Sequence, residues 1–235
     1  MIAKDIKKKF DDVEALKGIS FEFVAPSFVG VIGHNGSGKT TLLEIMMGIQ
    51  KPTSGEVDYI KEFNVNKMKE KIGVILQTNA FYSNMKVIEL LKLFQSYYKE
   101  TYDLGYLMDL LKITDYKNKY YDKLSGGMKQ KVNLALAFIN KPKVVFLDEP
   151  TTGLDPMARH DLWKALEVLC KDTLLFLSSH YMEEVQKYCD KLIYLKNGEL
   201  LYAGDIDEFL KQQGNDDLSE VYLNISGGYD RENVG

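Results

Sequence analysis

Residues 33–40 read GHNGSGKT, in full Gly33-His34-Asn35-Gly36-Ser37-Gly38-Lys39-Thr40. They follow a short apolar run at 28–32 that predicts a buried strand, and they precede a run at 42–47 that predicts a helix. A glycine-rich loop in this position lets backbone N–H groups surround phosphate oxygens, and the positive end of the helix dipole strengthens binding. The spacing G-x-x-x-x-G-K-[ST] therefore predicts a phosphate-binding loop rather than a purely structural glycine turn.

A second candidate cluster follows another apolar run, where residues 144–147 read VVFL and Asp148 and Glu149 come directly after it. An open α/β sheet binds ligands at the carboxyl ends of its strands, so these acids are placed to act on a bound phosphate. In such a site Lys39 contacts the β- and γ-phosphates, while Thr40 and Asp148 hold Mg²⁺. Glu149 is the candidate general base for an attacking water. The alternative is two surface acids that merely close a strand, and the phosphate-binding loop disfavours it.

The composition is that of a globular protein and excludes several other classes of protein. The chain has 235 residues, of which 45% are hydrophobic and 27% charged, so neither disorder nor a fibrous repeat is expected. A net charge of −4 at pH 7 gives no support for a protein that mainly binds nucleic acid, because such domains are usually basic. The two cysteines cannot form a disulfide framework. We expect no secretory signal and no membrane-spanning segment, because no apolar run approaches about 18 residues.

Short apolar runs alternate with helical periodicity along the chain, which predicts an α/β fold. The expected architecture is a P-loop NTPase core with a mostly parallel sheet, N-terminal antiparallel β strands and an inserted helical subdomain. An Asn-Gly pair at 197–198 predicts a hairpin turn, and one short amphipathic helix is expected before a polar end. The predicted parts of this single domain, residues 1–235, are a catalytic core (1–78 and 141–204), a helical subdomain (79–140) and a short C-terminal tail (205–235).

The stretch LSGGMKQ at residues 124–130 indicates which kind of phosphate-loop protein this is. It resembles the signature of the ATP-binding cassette (ABC) ATPases. Other elements of that family's pattern occur in its order. Gln77 ends the sequence IGVILQ, GLD at 153–155 follows EPTT, and His180 ends LLFLSSH. The resemblance covers nearly the whole chain, and these elements occur in the family's order and approximate spacing.

The resemblance implies a role for each of these positions. It places Ser125-Gly126-Gly127 against the γ-phosphate of ATP bound to a second subunit, whereas a simple helix N-cap is the other interpretation of this serine. It makes Gln77 a sensor of Mg²⁺ and water, His180 a contact to the γ-phosphate, and Asp155 a residue of the dimer seam. The implied catalytic residues are Glu149, His180, Gln77 and Lys39, and the implied Mg²⁺ ligands are Thr40, Gln77 and Asp148. The implied ATP-binding residues are Phe10, Gly33, His34, Asn35, Gly36, Ser37, Gly38, Lys39, Thr40 and Thr41.

Two positions leave alternatives open. Phe10 lies where the family carries an aromatic ring that stacks on adenine, and an ordinary core phenylalanine is the competing interpretation. Lys131 replaces the arginine that often follows the family signature, which keeps the charge and loses a bidentate fork. This replacement leaves the ion pairing of the helical subdomain undetermined at the level of sequence.

From the resemblance we expect an ATPase that binds ATP and Mg²⁺ and powers transport, in the export direction, through a separate transmembrane permease. The implied partner is a second copy of the chain, or a related cassette, in a head-to-tail dimer that ATP closes. Such a protein works at the cytoplasmic side of the cell membrane through its permease, is soluble when isolated and has no nucleic-acid partner. One alternative is a cassette ATPase acting on ribosomes or DNA, which usually carries two cassettes or long coiled-coil insertions. Another is a P-loop kinase or a GTPase, but LSGGMKQ has no role in a kinase, and the guanine-reading N-K-x-D is not found.

Overall fold

The computed structural model describes residues 1–59, 69–76 and 84–227. The chain divides into two compact units, a first unit formed by Met1–Asp58 with Phe176–Gly235 and a second unit formed by Tyr59–Leu175. The phosphate-binding loop lies in the first unit. The acid strand, which is the run at 144–147 followed by Asp148 and Glu149, and the LSGGMKQ stretch lie in the second unit. The division into core, helical subdomain and tail made from the sequence stays a prediction.

The elements are numbered in chain order. The strands are β1 (Ile2–Phe10), β2 (Val13–Glu22), β3 (Ser27–Ile32), β4 (Ser54–Asp58), β5 (Ile72–Ile75), β6 (Val144–Asp148), β7 (Leu174–Ser178), β8 (Lys191–Lys196) and β9 (Glu199–Asp205). The helices are α1 (Lys39–Met46), α2 (Val87–Ser96), α3 (Leu104–Leu110), α4 (Gly126–Phe138), α5 (Pro156–Leu169), α6 (Met182–Tyr188), α7 (Ile206–Gln213) and α8 (Leu218–Gly227).

The first unit contains an antiparallel sheet in the order β2-β1-β4. Only one face of this sheet is apolar, because side chains alternate along each strand. Ile6 and Ile19, which pair across β1 and β2, are fully buried, whereas Lys7, Lys17 and Glu22 are exposed. The predicted antiparallel N-terminal strands are therefore present.

Strand β3 leads directly into the phosphate-binding loop and pairs in parallel with β8 over residues 29–32 and 191–194. β8 and β9 form the antiparallel hairpin predicted from Asn-Gly, and Asn197 and Gly198 have the positive φ angles, 51° and 78°, that this turn requires. A Cβ on Gly30 would lie 2.4 Å from Val185 Cγ1, so a side chain there would displace α6 from β3.

The C-terminal region contains one helix more than the sequence predicted. Leu218 and Val221 of α8 are buried, and Tyr222 stacks on Tyr194 of β8 with ring centroids 5.9 Å apart. Gln186 of α6 fixes the start of this helix, because its Nε2 donates to Asp216 O and its Oε1 accepts from Leu218 N, at 2.7 and 2.8 Å. The apolar positions 218, 221 and 222 lie on one helical face, but tertiary partners rather than propensity stabilise such a short helix.

In the second unit β5 and β6 form a parallel pair, in register from Ile72 with Val144 to Ile75 with Leu147. A Cβ on Gly73 would lie 2.1 Å from Ala137 O, so α4 rests directly on the backbone of β5. The predicted helical stretch becomes α2, α3 and α4, with a capping contact at α2 where Glu89 Oε2 accepts from Lys86 N at 2.9 Å.

The fold is α/β, with a mostly parallel sheet and an antiparallel N-terminal sheet. The fold class predicted from the sequence is confirmed. Among the helices formed by residues 1–59, 69–76 and 84–227, none has both the length and the apolar character that crossing a membrane requires.

Candidate functional site

The phosphate-binding loop closes tightly between β3 and α1. Gly33 and Gly38 have φ angles of 150° and 104°, and a Cβ on Gly33 would lie 2.3 Å from Leu195 O. On Gly38 it would lie 2.8 Å from Ala15 O. Glycine is therefore required at both positions for backbone conformation and for space. The helix begins at Lys39, three residues before the predicted start at 42, because the left-handed conformation of Gly38 ends immediately before it.

Lys39 lies inside the loop rather than on the surface. Its side chain is only 7% exposed, and Nζ donates to Gly33 O at 2.7 Å and to His34 O at 3.1 Å. The hydroxyl of Ser37 is buried without a hydrogen-bond partner among the described residues. The buried ammonium and the unsatisfied hydroxyl are both hydrogen-bond donors, and both lie in the loop. Such donors suit an anionic ligand rich in oxygen atoms, so the loop fits a nucleotide phosphate chain.

The remaining loop residues are more accessible. Asn35, Gly36 and Thr40 are exposed, and His34, Gly38 and Thr41 are half-buried. Thr40 lies in the first turn of α1, where the helix dipole favours negative charge. Its hydroxyl and the carboxylate of Asp148 are hard oxygen donors of the type that Mg²⁺ prefers. Within the described part of the chain, no group of three or more His, Cys, Asp or Glu could hold a metal by itself.

The acid strand β6 ends in a buried carboxylate followed by an unusual backbone conformation. Asp148 is 6% exposed, while Glu149 is half-buried and has a φ of 50°. A left-handed glutamate is uncommon and costs free energy, and such residues cluster at active sites. Glu149 Oε2 accepts a long hydrogen bond of 3.4 Å from Thr152 Oγ1. The backbone thus presents this carboxylate where β6 ends.

The start of α4 and the turn before α5 lie side by side in the second unit. Ser125 is the N-cap of α4, and its Oγ accepts from Met128 N at 3.4 Å. Asp155 is the N-cap of α5, and its Oδ1 accepts from Ala158 N at 2.9 Å. A Cβ on Gly127 would lie 3.6 Å from the Ala158 Cβ and 3.8 Å from Leu154 Cδ2. Both caps are exposed, so two groups predicted to meet a second subunit share one accessible region.

Three further predicted residues lie apart from these groups along the chain. His180 is exposed in the first unit, two residues after β7. Phe10 is 42% exposed at the end of β1, with Lys8 Nζ 4.8 Å from its ring centroid, so it is not a core phenylalanine. Gln77 lies outside the described residues.

Asp161, which was not predicted from the sequence, supplies the ion partner of Lys131. Lys131 Nζ lies 3.0 Å from Asp161 Oδ2, and Lys112 Nζ lies 2.9 Å from Asp161 Oδ1, so the carboxylate joins α4, α5 and the turn after α3. The Lys112 ammonium, with Lys131, holds the pKa of Asp161 below its ordinary value against the opposing effect of burial. A carboxylate 30 residues along the chain on another helix carries no local sequence signal.

Asp161→Asn is expected to lower the free energy of unfolding by about 1–2 kcal/mol at pH 7, because it leaves the mostly buried Lys131 without its ion pair. Since the folded pKa of Asp161 is depressed, this stabilisation is present above the ordinary carboxyl pKa of about 4. It is lost as the pH falls through the folded value. Urea unfolding at pH 7 and at successively lower pH should show the difference shrinking. The control Asp172→Asn removes an exposed carboxylate, and an equal loss there would contradict the prediction.

Comparison with known proteins finds one matching family and several similar chains. The sequence model of the ABC transporter family matches residues 16–152. The chain is 31% identical over 228 residues to a Nod factor export ATP-binding protein I of Burkholderia lata, covering 93% of this chain and 75% of that protein. A solved ATP-binding subunit of an ABC transporter superposes with a TM-score of 0.87 at 26% identity, covering 96% of this chain and 98% of that one. A dimeric ATP-binding cassette in a post-hydrolysis state with ADP and Pi superposes with a TM-score of 0.74 at 25% identity, covering 87% and 98%.

Proposed function

The chain belongs to the ABC transporter family as an ATP-binding subunit with ATPase activity, and from this premise we propose that it powers export through a separate transmembrane permease. The observation that carries the proposal is the phosphate-binding loop, with Lys39 buried inside it. The direction is inferred from the similarity to a protein named for Nod factor export. The proposed location is the cytoplasmic side of the membrane, where such a permease would hold the subunit.

On the nucleotide, the loop residues would bind the β- and γ-phosphates through backbone N–H groups and Lys39. Exposed Phe10 offers a ring face for adenine. Thr40, Asp148 and Gln77 would hold Mg²⁺, which when bound neutralises charge on the phosphates. Glu149 would accept the proton of the attacking water, and His180 would contact the γ-phosphate. These assignments rest on the family likeness and on the side-chain chemistry.

The proposed working form is a head-to-tail dimer with a second copy or a related cassette. Ser125 caps a helix of 13 residues, whose exposed N-terminus attracts an anion supplied by another molecule. Asp155 lies in the same accessible region and would face the dimer seam. Closure would then be driven by contacts that exist only when ATP joins both subunits, since a ligand shifts an equilibrium only through its differential affinity.

The test is purification of the tagged chain from solubilised membranes, followed by reconstitution of whatever multi-spanning protein copurifies into liposomes. We expect permease subunits to copurify with the chain, and we expect ATPase activity to rise when they are present. Lys39→Ala serves as the control, because it should still bind the permease without hydrolysing ATP. A chain that hydrolyses ATP equally well with and without every membrane companion would overturn the transport proposal.

A further inference from the structure

The turn between β8 and β9 contacts the phosphate-binding loop at two points. Gly198 N donates to Ser37 O at 3.1 Å, and the ring of His34 lies with Nε2 2.9 Å from Asn197 Oδ1. The other ring nitrogen of His34, Nδ1, is 2.7 Å from the carbonyl oxygen of Asn35. One imidazole thus connects the turn to the exposed tip of the loop.

The turn is itself fixed from two other sides. Lys17 N on β2 donates to Gly198 O at 2.8 Å, and a Cβ on Gly198 would lie 2.8 Å from Ala15 O. At the end of β8, next to the turn, Lys196 Nζ donates to Ile225 O in α8 at 3.0 Å. Because β2 and α8 both hold the turn, it is a rigid support rather than a mobile loop tip.

We propose that Asn197 is a positioning residue for nucleotide binding, acting through His34 on the loop that surrounds the phosphates. The proposal rests on the proposed role of that loop in binding ATP. The loop tip is exposed at Gly36, which has a φ of 79° and where an added Cβ would meet no heavy atom within 4 Å, so no side chain packs against the tip on that side. The His34–Asn197 contact restrains this tip. A loop that is held in its binding conformation before the ligand arrives binds that ligand more tightly.

Asn197→Gly removes this contact and preserves the Gly-containing turn, because glycine adopts the left-handed conformation of residue 197 without strain. The dissociation constant for ATP is expected to rise about three- to tenfold, the effect of losing one hydrogen bond. His34→Ala should raise it at least as much, because it also removes the contact of Nδ1 with Asn35 O. Since the contact with Asn197 is already lost in His34→Ala, the double variant should bind ATP about as well as His34→Ala alone.

The experiment measures the ATP dissociation constant by calorimetry and the KM and kcat for hydrolysis in all four proteins. In each variant we expect a higher dissociation constant and KM for ATP and a smaller change in kcat. The effects of the two substitutions should not add in the double variant. Asn84→Gly is the matched control, because Asn84 has a similar φ of 69°, is exposed and lies in the second unit. The ATP binding of this variant should be unchanged.

An unchanged dissociation constant in Asn197→Gly, or single effects that multiply in the double variant, would overturn the positioning role while leaving ATP binding intact. Failure of the unmodified chain to bind ATP would instead refute the function of the loop.

Discussion

Glu149→Gln is expected to reduce ATP turnover by at least about 100-fold while ATP binding persists, because general-base catalysis contributes about 10²- to 10⁴-fold. Glutamine has the same size and retains an oxygen that can accept from Thr152 Oγ1, so the loop after β6 should keep its conformation. What glutamine cannot do is accept a proton at pH 7. The left-handed backbone of Glu149 is strain that the fold tolerates directly after β6, which supports a role in the reaction.

Steady-state hydrolysis and size-exclusion chromatography of this variant test the prediction together. If cleavage stops while binding continues, ATP should accumulate in a closed dimer that elutes earlier than the nucleotide-free chain. Glu167→Gln neutralises an exposed carboxylate of the same unit and should hydrolyse ATP normally. Undiminished hydrolysis by Glu149→Gln would remove this residue from the chemistry.

The features that are predicted best from the sequence are those that depend on residues close together along the chain. The loop, its flanking strand and helix, and the acid after β6 are local patterns in which glycine, lysine and carboxylate positions are fixed by the backbone geometry that they require. The predicted start of α1 is three residues too late, because the apolar period begins at Leu42 whereas the helix begins where Gly38 leaves its left-handed conformation.

Contacts between distant segments could not be predicted. His34 and Asn197 are 163 positions apart, and the Asn-Gly signal predicts a turn but not what the turn contacts. Lys131 and Asp161 meet only because α4 and α5 pack together. The docking of α8 depends on Gln186 of α6 and Tyr194 of β8, which lie about 30 positions before it in the chain. Long-range pairing of this kind leaves no periodic pattern in a single sequence.

Ser125→Arg is expected to abolish hydrolysis without unfolding the chain. Ser125 is exposed, so the larger side chain has room in an isolated subunit, and losing the N-cap costs about 1 kcal/mol. In the proposed dimer, however, the arginine would occupy the space of the γ-phosphate bound to the other subunit. Asp103→Ala removes an N-cap elsewhere in the second unit, where Asp103 Oδ1 accepts from Tyr106 N at 2.9 Å, and should lose a similar amount of stability with its turnover retained.

Mixing Ser125→Arg with Lys39→Ala distinguishes sites shared between subunits from sites complete within one. Each variant alone has two defective sites per dimer. In a mixed dimer the intact loop of one chain faces the intact serine of the other, and both defects fall in the second site. Random pairing makes about half of the dimers mixed, so the mixture should recover at most about a quarter of the unmodified activity. Sites complete within one subunit would gain nothing on mixing, and full activity of Ser125→Arg by itself would exclude any role of this serine toward a partner's ATP.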